Sequence, residues 1–164
     1  MRVAIRPETP ADADEVRVLL AAAFPGPGEA RLVERLRAEG DAALALVAIE
    51  AGRIAGHVTF SPMAAPFRAL GLGPLAVAPD RQRIGIGSHL VRDGLHRAYA
   101  EGWQAVFVLG DPDYYGRFGF DQDLASDFVS PYAGPHLMVL SLGGGPLPTT
   151  EGKVDYAPAF AALG

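Results

Sequence analysis

The 164-residue chain contains no cysteine. That removes disulfides, thiol nucleophiles and thiolate metal sites. It also lacks any apolar run approaching the roughly 18 residues that a membrane helix needs. The opening stretch MRVAIRPETPADADE turns polar after five residues, without the apolar core and small-residue cleavage site of a signal peptide. Positive charge is short: 14 Lys and Arg stand against 19 Asp and Glu, a formal charge of -5. A general nucleic-acid binder needs a basic face to meet phosphates, so that partner class is disfavoured. There is no internal repeat and no low-complexity linker; the one glycine run, LGGGP at 142–146, reads as a late loop. A soluble, cytoplasmic globular protein is expected, with neither nucleic acid nor membrane as partner.

Apolar residues make up 49% of the chain, enough for a proper core, and the length fits one domain over 1–164. Val3 to Arg6 predict a short strand. A helix follows, with Thr9 or Asp12 as N-cap and Val16, Leu19, Leu20 and Ala23 at helical spacing. A second helix is expected over Glu29–Ala38, with Leu32, Val33 and Leu36 on one face. ALALVAIE and RIAGHVTFS read as a hairpin turned by Ala51 and Gly52, and Ala69–Val77 as a third strand. A helix over Gly87–Ala100 ends before Gly102, and WQAVFVLG has the continuous apolar character of a strand covered on both faces. GDPDYYGRFGF starts a short helix with Asp111 as N-cap and Pro112 at the first position, and HLMVLSL supplies a late strand. The order predicts an α/β fold, a single-domain mixed sheet with helices on both faces.

One segment, PLAVAPDRQRIGIGSHLV at 74–91, runs strand, glycine-rich bend, helix. Free N–H groups and the dipole at a helix N-terminus make such a bend an anion site, with phosphate the leading ligand. Spacing decides among phosphate compounds. A Walker loop needs a lysine that this bend lacks, and Leu90 breaks the G-x-G-x-x-G pattern that Gly85 and Gly87 begin. GLGPLA at 71–76 matches G-x-G-x-x-A by letter, but Pro74 and Pro79 stand where its helix would begin.

The bend does fit Q-x-x-G-x-G, written by Gln82, Arg83, Ile84, Gly85, Ile86 and Gly87, and so resembles the pyrophosphate loop of the GNAT superfamily of acyl-CoA-dependent N-acyltransferases. The likeness extends outward. YYGRFGF resembles that family's Y-x-x-x-G-F element through Tyr115, Gly119 and Phe120; IRPETPADADEV resembles its opening strand and helix, and GRIAGHVTFSP its third strand.

The resemblance implies a single-domain GNAT-like fold that binds acetyl-CoA as co-substrate, with no metal. Backbone N–H groups from Ile84 to Ser88 would hold the pyrophosphate, and the Ser88 hydroxyl either adds a donor or caps the helix. Glycine suits positions 85 and 87 because a Cβ would hold the backbone off the phosphate or forbid positive φ. Of the loop arginines, Arg83 is expected at the phosphates and Arg81 in solvent. The pantetheine arm would pair like an added strand with the backbone of Leu75, Ala76 and Val77. Tyr115 matches the family's general acid, which donates to the leaving thiolate, and Tyr114 reads as a core aromatic.

Many family members carry an acidic residue on the strand before the loop. Here FRALGLGPLAV has none, which leaves the proton acceptor for the amine open between a water relay and no base. Histidine can serve as a base near neutral pH, yet His57, alone on its strand, reads first as structural. His89 and His96 lie seven apart on a helix face without a third ligand and read as a surface pair. The implied activity is direct acetyl transfer to a primary amine of a small molecule or peptide. A non-catalytic acyl-CoA-binding or sensing module is the alternative, and a nicotinamide enzyme rests only on the poor glycine match. The acceptor is not legible, and the oligomeric state, a homodimer included, stays open.

Overall fold

A computed structural model describes residues 2–163. Its strands are β1 (Ala4–Pro7), β2 (Leu44–Glu50), β3 (Arg53–Pro62), β4 (Ala69–Val77), β5 (Ala105–Leu109), β6 (Phe128–Val129), β7 (Leu137–Ser141) and β8 (Gly152–Lys153). The helices are α1 (Ala13–Ala23), α2 (Gly28–Ala38), α3 (Ile86–Ala100), α4 (Pro112–Tyr115) and α5 (Gln122–Ala125). Six strands form one mixed sheet in the order β1-β2-β3-β4-β5-β7, as the α/β expectation requires, and β6 and β8 form a second small sheet. Each expected helix and strand is present to within a few residues. The sequence reading missed α5, β6 and β8, which are two to four residues long. No described helix is long and apolar enough to cross a membrane.

The described chain divides into two compact units, the first comprising residues 2–60, 73–94 and 158–163 and the second residues 61–72 and 95–157. In the first unit, Thr9 and Asp12 share the cap between them. The Asp12 carboxylate accepts from the Thr9 N–H at 2.8 Å and from both Arg6 Nη atoms at 2.7 and 2.9 Å, which binds β1 to the start of α1. The expected apolar faces of the two helices are buried: Val16, Leu19 and Leu20 from α1, Ala30, Leu32, Val33 and Leu36 from α2. Val16, Leu19, Leu20, Ala30 and Val33 join a cluster with Val47, Ile54 and Ala76 from the sheet and Ala78 just past the end of β4.

Helix α3 lies unusually close to β3. A methyl group built on Gly94 would come within 2.4 Å of the buried Phe60 ring. One built on Gly56 would meet Leu90 Cδ1 at 2.9 Å and Ile86 Cγ2 at 3.0 Å. These two glycines let the helix sink onto the sheet, and they set the height of its N-terminus above the end of β4.

His57, on β3, has no exposed surface. Its Nε2 lies 3.1 Å from Glu8 Oε1, and Glu8 also accepts from Arg37 Nη2 at 2.6 Å and Nε at 3.0 Å. Burial alone would raise the Glu8 carboxyl. Hydrogen bonds and charge from His57 and Arg37 outweigh that and hold it down at about 2.

In the second unit β4 pairs in parallel with β5, and β5 antiparallel with β7. Phe67, Phe107 and Phe128 pack mutually, with centroids 5.4 to 6.3 Å apart. Tyr156 covers Gly71, where an added methyl would come 2.6 Å from its ring.

Two outcomes follow for stability. Gly94→Ala must displace a fully buried phenylalanine, so it is expected to cost about 1–3 kcal/mol by chemical denaturation. Glu8, with a folded pKa lowered below its ordinary value, contributes stability that is complete above about pH 5 and drains away as pH falls toward 2. Acid unfolding of Glu8→Gln followed by circular dichroism should therefore lose this part of the pH dependence, on the order of 3 kcal/mol in the parent protein.

Candidate active site

Parallel pairing of β4 with β5 covers only Ala69–Leu72. Beyond Leu72, among the described residues, the backbone from Gly73 to Val77 has no partner in that ladder. Leu75 and Val77 are half-buried, with Ala76 buried between them. The strand thus leaves main-chain groups outside that ladder over the segment expected to meet pantetheine, apart from Val77 O, which accepts from Gln82, while its other edge is tied to β3, where the Ala78 N–H donates to Ala55 O at 2.8 Å.

The chain then turns through Pro79–Arg81 into the bend. Gln82 Nε2 donates to Val77 O at 3.2 Å and folds the bend back on the strand end. Arg83 takes a φ of +66° and Gly85 a φ of +98°. A left-handed arginine costs about 1–2 kcal/mol, and such strain is found where a ligand shapes the backbone. Space beside Gly85 is open, with no atom within 4 Å of an added methyl. Ile86 is buried and anchors α3, whereas Gln82, Arg83, Ile84 and Gly85 are exposed and Gly87 and Ser88 half-buried. The His89 N–H donates to Gly85 O at 3.0 Å and closes the first turn of α3. Gln82 through Ser88 are therefore gathered at one helix start.

Arg81 differs from expectation. Its Nε donates to Glu50 Oε1 at 2.6 Å and its Nη2 to Glu50 Oε2, so this arginine ties the bend to the end of β2 rather than standing in solvent. The two residues are 31 apart and no local pattern announces the pair.

Tyr115, in the second unit, ends α4, whose N-cap is Asp111 as expected: its carboxylate accepts from the Asp113 N–H at 2.9 Å. The Tyr115 ring lies over Gly110, where an added methyl would come 2.6 Å from Cε2. It packs edge-on against Tyr114 and Phe120, with centroids 5.0 and 5.8 Å away. Burial, with a lesser contribution from Tyr114, pushes its hydroxyl up to about 12. The phenol is a proton donor across the whole neutral range.

His89 and His96 are exposed, as the surface-pair reading requires. Among the described residues no group of His, Asp and Glu is arranged to hold a metal ion. The Glu8–His57–Arg37 cluster escaped the sequence reading, since its members come from three separate elements.

Comparison with known proteins bears on this arrangement. Residues 4–122 match the family described as the Acetyltransferase (GNAT) domain. The chain is 35% identical over 162 residues to a protein of Escherichia coli K12 named "Uncharacterized N-acetyltransferase YhbS", covering 95% of this chain and 97% of that one. The crystal structure of Escherichia coli YhbS in complex with CoA superposes with a TM-score of 0.93, covering 100% of this chain and 94% of that one at 35% identity. A GNAT family acetyltransferase from Brucella melitensis in complex with acetyl-CoA gives a TM-score of 0.81 at 36% identity, covering 97% and 98% of the two chains.

The bend can be tested apart from the chemistry. Replacing Gly85 by alanine forces a side chain into positive φ, at a cost of about 1–2 kcal/mol. Calorimetric titration should show CoA binding weakened about tenfold or more, with the Tm of the free protein lowered by about 2–8 °C.

Proposed function

The chain belongs to the GNAT acetyltransferase family, and on that premise we propose that it moves the acetyl group of acetyl-CoA directly to a primary amine of a small molecule or peptide, with no covalent enzyme intermediate. It does so as one catalytic domain. The supporting observation is the open edge of β4 from Gly73 to Val77, which leads straight into the left-handed bend and the start of α3.

Leu75, Ala76 and Val77 hold the pantetheine amides through their main chain, as an added strand is held. The pyrophosphate sits against the N–H groups of Ile84 to Ser88, where the helix dipole favours negative charge. Gln82 and Ile86 fix the bend by bonding to Val77 O and by burial of the first α3 residue against β3 at Gly56, and Arg83 offers its guanidinium to the phosphates.

The transfer joins the amine nitrogen to the thioester carbonyl and expels the CoA thiolate. Tyr115 is the acid for that thiolate. A thiol ordinarily titrates near 8.5, and the Tyr115 hydroxyl near 12. Complete proton transfer from phenol to thiolate is therefore uphill by about 5 kcal/mol. Tyr115 accordingly stabilises the leaving sulfur by hydrogen bonding as charge develops, and the proton released by the amine finishes the neutralisation.

The lack of any carboxylate in FRALGLGPLAV favours a second reading, an acyl-CoA-binding module without turnover. Free-thiol release from acetyl-CoA, measured with a panel of amines, polyamines and peptides, separates the two. Turnover is expected with at least one amine, and CoA binding without turnover across the panel would favour the module. For Tyr115→Phe the account expects kcat to fall on the order of 100-fold with CoA affinity unchanged. An unchanged kcat would remove Tyr115 from the chemistry.

A further inference from the structure

The bend that carries the proposed pyrophosphate contacts is short and exposed. Gln82, Arg83, Ile84 and Gly85 all face solvent, and Arg83 and Gly85 stand at φ of +66° and +98°. An arginine does not keep a left-handed backbone of its own accord, because its Cβ crowds the following carbonyl. Groups outside these four residues must hold their path.

The span is stretched between two anchors. On the helix side Ile86 is buried, its Cγ2 3.0 Å from a methyl group built on Gly56. On the strand side the anchor is Arg81. Its N–H donates to Ala78 O at 2.8 Å, and its side chain meets Glu50 as a fork, with Nε donating to Oε1 at 2.6 Å and Nη2 to Oε2. A planar guanidinium that meets both oxygens of a carboxylate fixes direction as well as distance. Glu50 is itself firmly placed. It pairs with Arg53 across the two-residue turn from β2 to β3, where Ala51 and Gly52 both take positive φ. The hairpin end is thus a fixed post to which the bend is tied, and Gln82, bonded to Val77 O at 3.2 Å, adds a second tie.

Fold stability does not account for the pair. The Arg81 and Glu50 side chains are 38% and 21% exposed, and neither residue belongs to the buried core. Ion pairs so open to water contribute little to unfolding free energy. An acid is also the wrong sign beside an anion site: it repels phosphate, and it occupies an arginine that could otherwise turn to the ligand. What the pair does supply is order. A loose bend must give up conformational freedom when the ligand binds, whereas a bend already held has given it up beforehand.

We propose that Glu50 and Arg81 are positioning residues for CoA: their ion pair holds Gln82 to Gly85 in the binding conformation before the ligand arrives, so that a carboxylate beside an anion site raises affinity for the anion. The proposal rests on the acetyltransferase reading above. Neither residue touches the reacting atoms, so the effect falls on acetyl-CoA binding and not on the transfer step.

The test is calorimetric titration of CoA into the parent protein, Glu50→Ala, Arg81→Ala and the double variant, together with kcat and KM for acetyl-CoA using an amine found by free-thiol release. Glu50→Ala decides, because charge and positioning act on it with opposite signs. Removing an acid and freeing an arginine would by charge alone tighten the binding of an anion. Loss of the tie should instead weaken CoA binding about fivefold, and KM for acetyl-CoA should rise by a like factor with kcat unchanged. Arg81→Ala should weaken binding at least as much. The double variant should be no worse than Arg81→Ala, since either change already breaks the same tie. Unchanged or tighter CoA binding by Glu50→Ala would overturn the proposal, as would losses that simply add in the double variant. Absence of CoA binding by the parent protein would instead strike the acetyltransferase reading, so the two failures are distinguishable.

Discussion

The close seat of α3 on β3 is the constraint from which the rest of the site follows. Two glycines, Gly56 in the strand and Gly94 in the helix, remove the side chains that would hold the layers apart, and Phe60, Ile86 and Leu90 fill the space. A helix at ordinary spacing would stand higher above the sheet, and its first turn would not meet the end of β4. Seated where it is, α3 draws the chain between Val77 and Ile86 into a tight bend with Arg83 and Gly85 in left-handed conformation. On the proposed reading, backbone donors supply most of the contacts to the pyrophosphate and Arg83 the one side-chain charge. This agrees with a protein of net negative charge that must hold a pyrophosphate.

Electrostatics complete the arrangement by holding protons in place. Burial keeps the Tyr115 phenol protonated far above neutrality, while hydrogen bonds from His57 and Arg37 keep the Glu8 carboxyl ionised far below it. Both effects act in low-dielectric surroundings, where a hydrogen bond outweighs solvation or solvation loss sets the charge. Arg81 belongs to the same scheme in a different role. By binding Glu50 it neutralises a carboxylate beside the bend and ties the bend to the hairpin.

Much of the fold was legible because its elements are written locally. The apolar faces of α1 and α2 obey helical spacing, Asp111 and Pro112 announce the start of α4, and the continuous apolar run of β5 declares its burial. The bend was legible too, since glycine and glutamine spacing encodes backbone geometry directly. What escaped lies in two kinds of feature. Two-residue strands such as β6 and β8 owe their existence to partners distant in sequence rather than to any run of their own. Glu8, Arg37 and His57 meet only after three elements have packed, and nothing in their spacing foretells it. His57 read as a lone strand histidine because its carboxylate arrives from another strand's end.

The central claim is that the bend at the start of α3 holds CoA, and thermal unfolding in the presence of ligand tests it most directly. Binding to the native state alone at a hundred times Kd adds about 2.7 kcal/mol, which for a chain of this size raises Tm by roughly 5–10 °C. The account predicts that rise with CoA and none with NAD or ATP at the same concentration. An unchanged Tm at saturating CoA, or an equal rise with NAD, would contradict it.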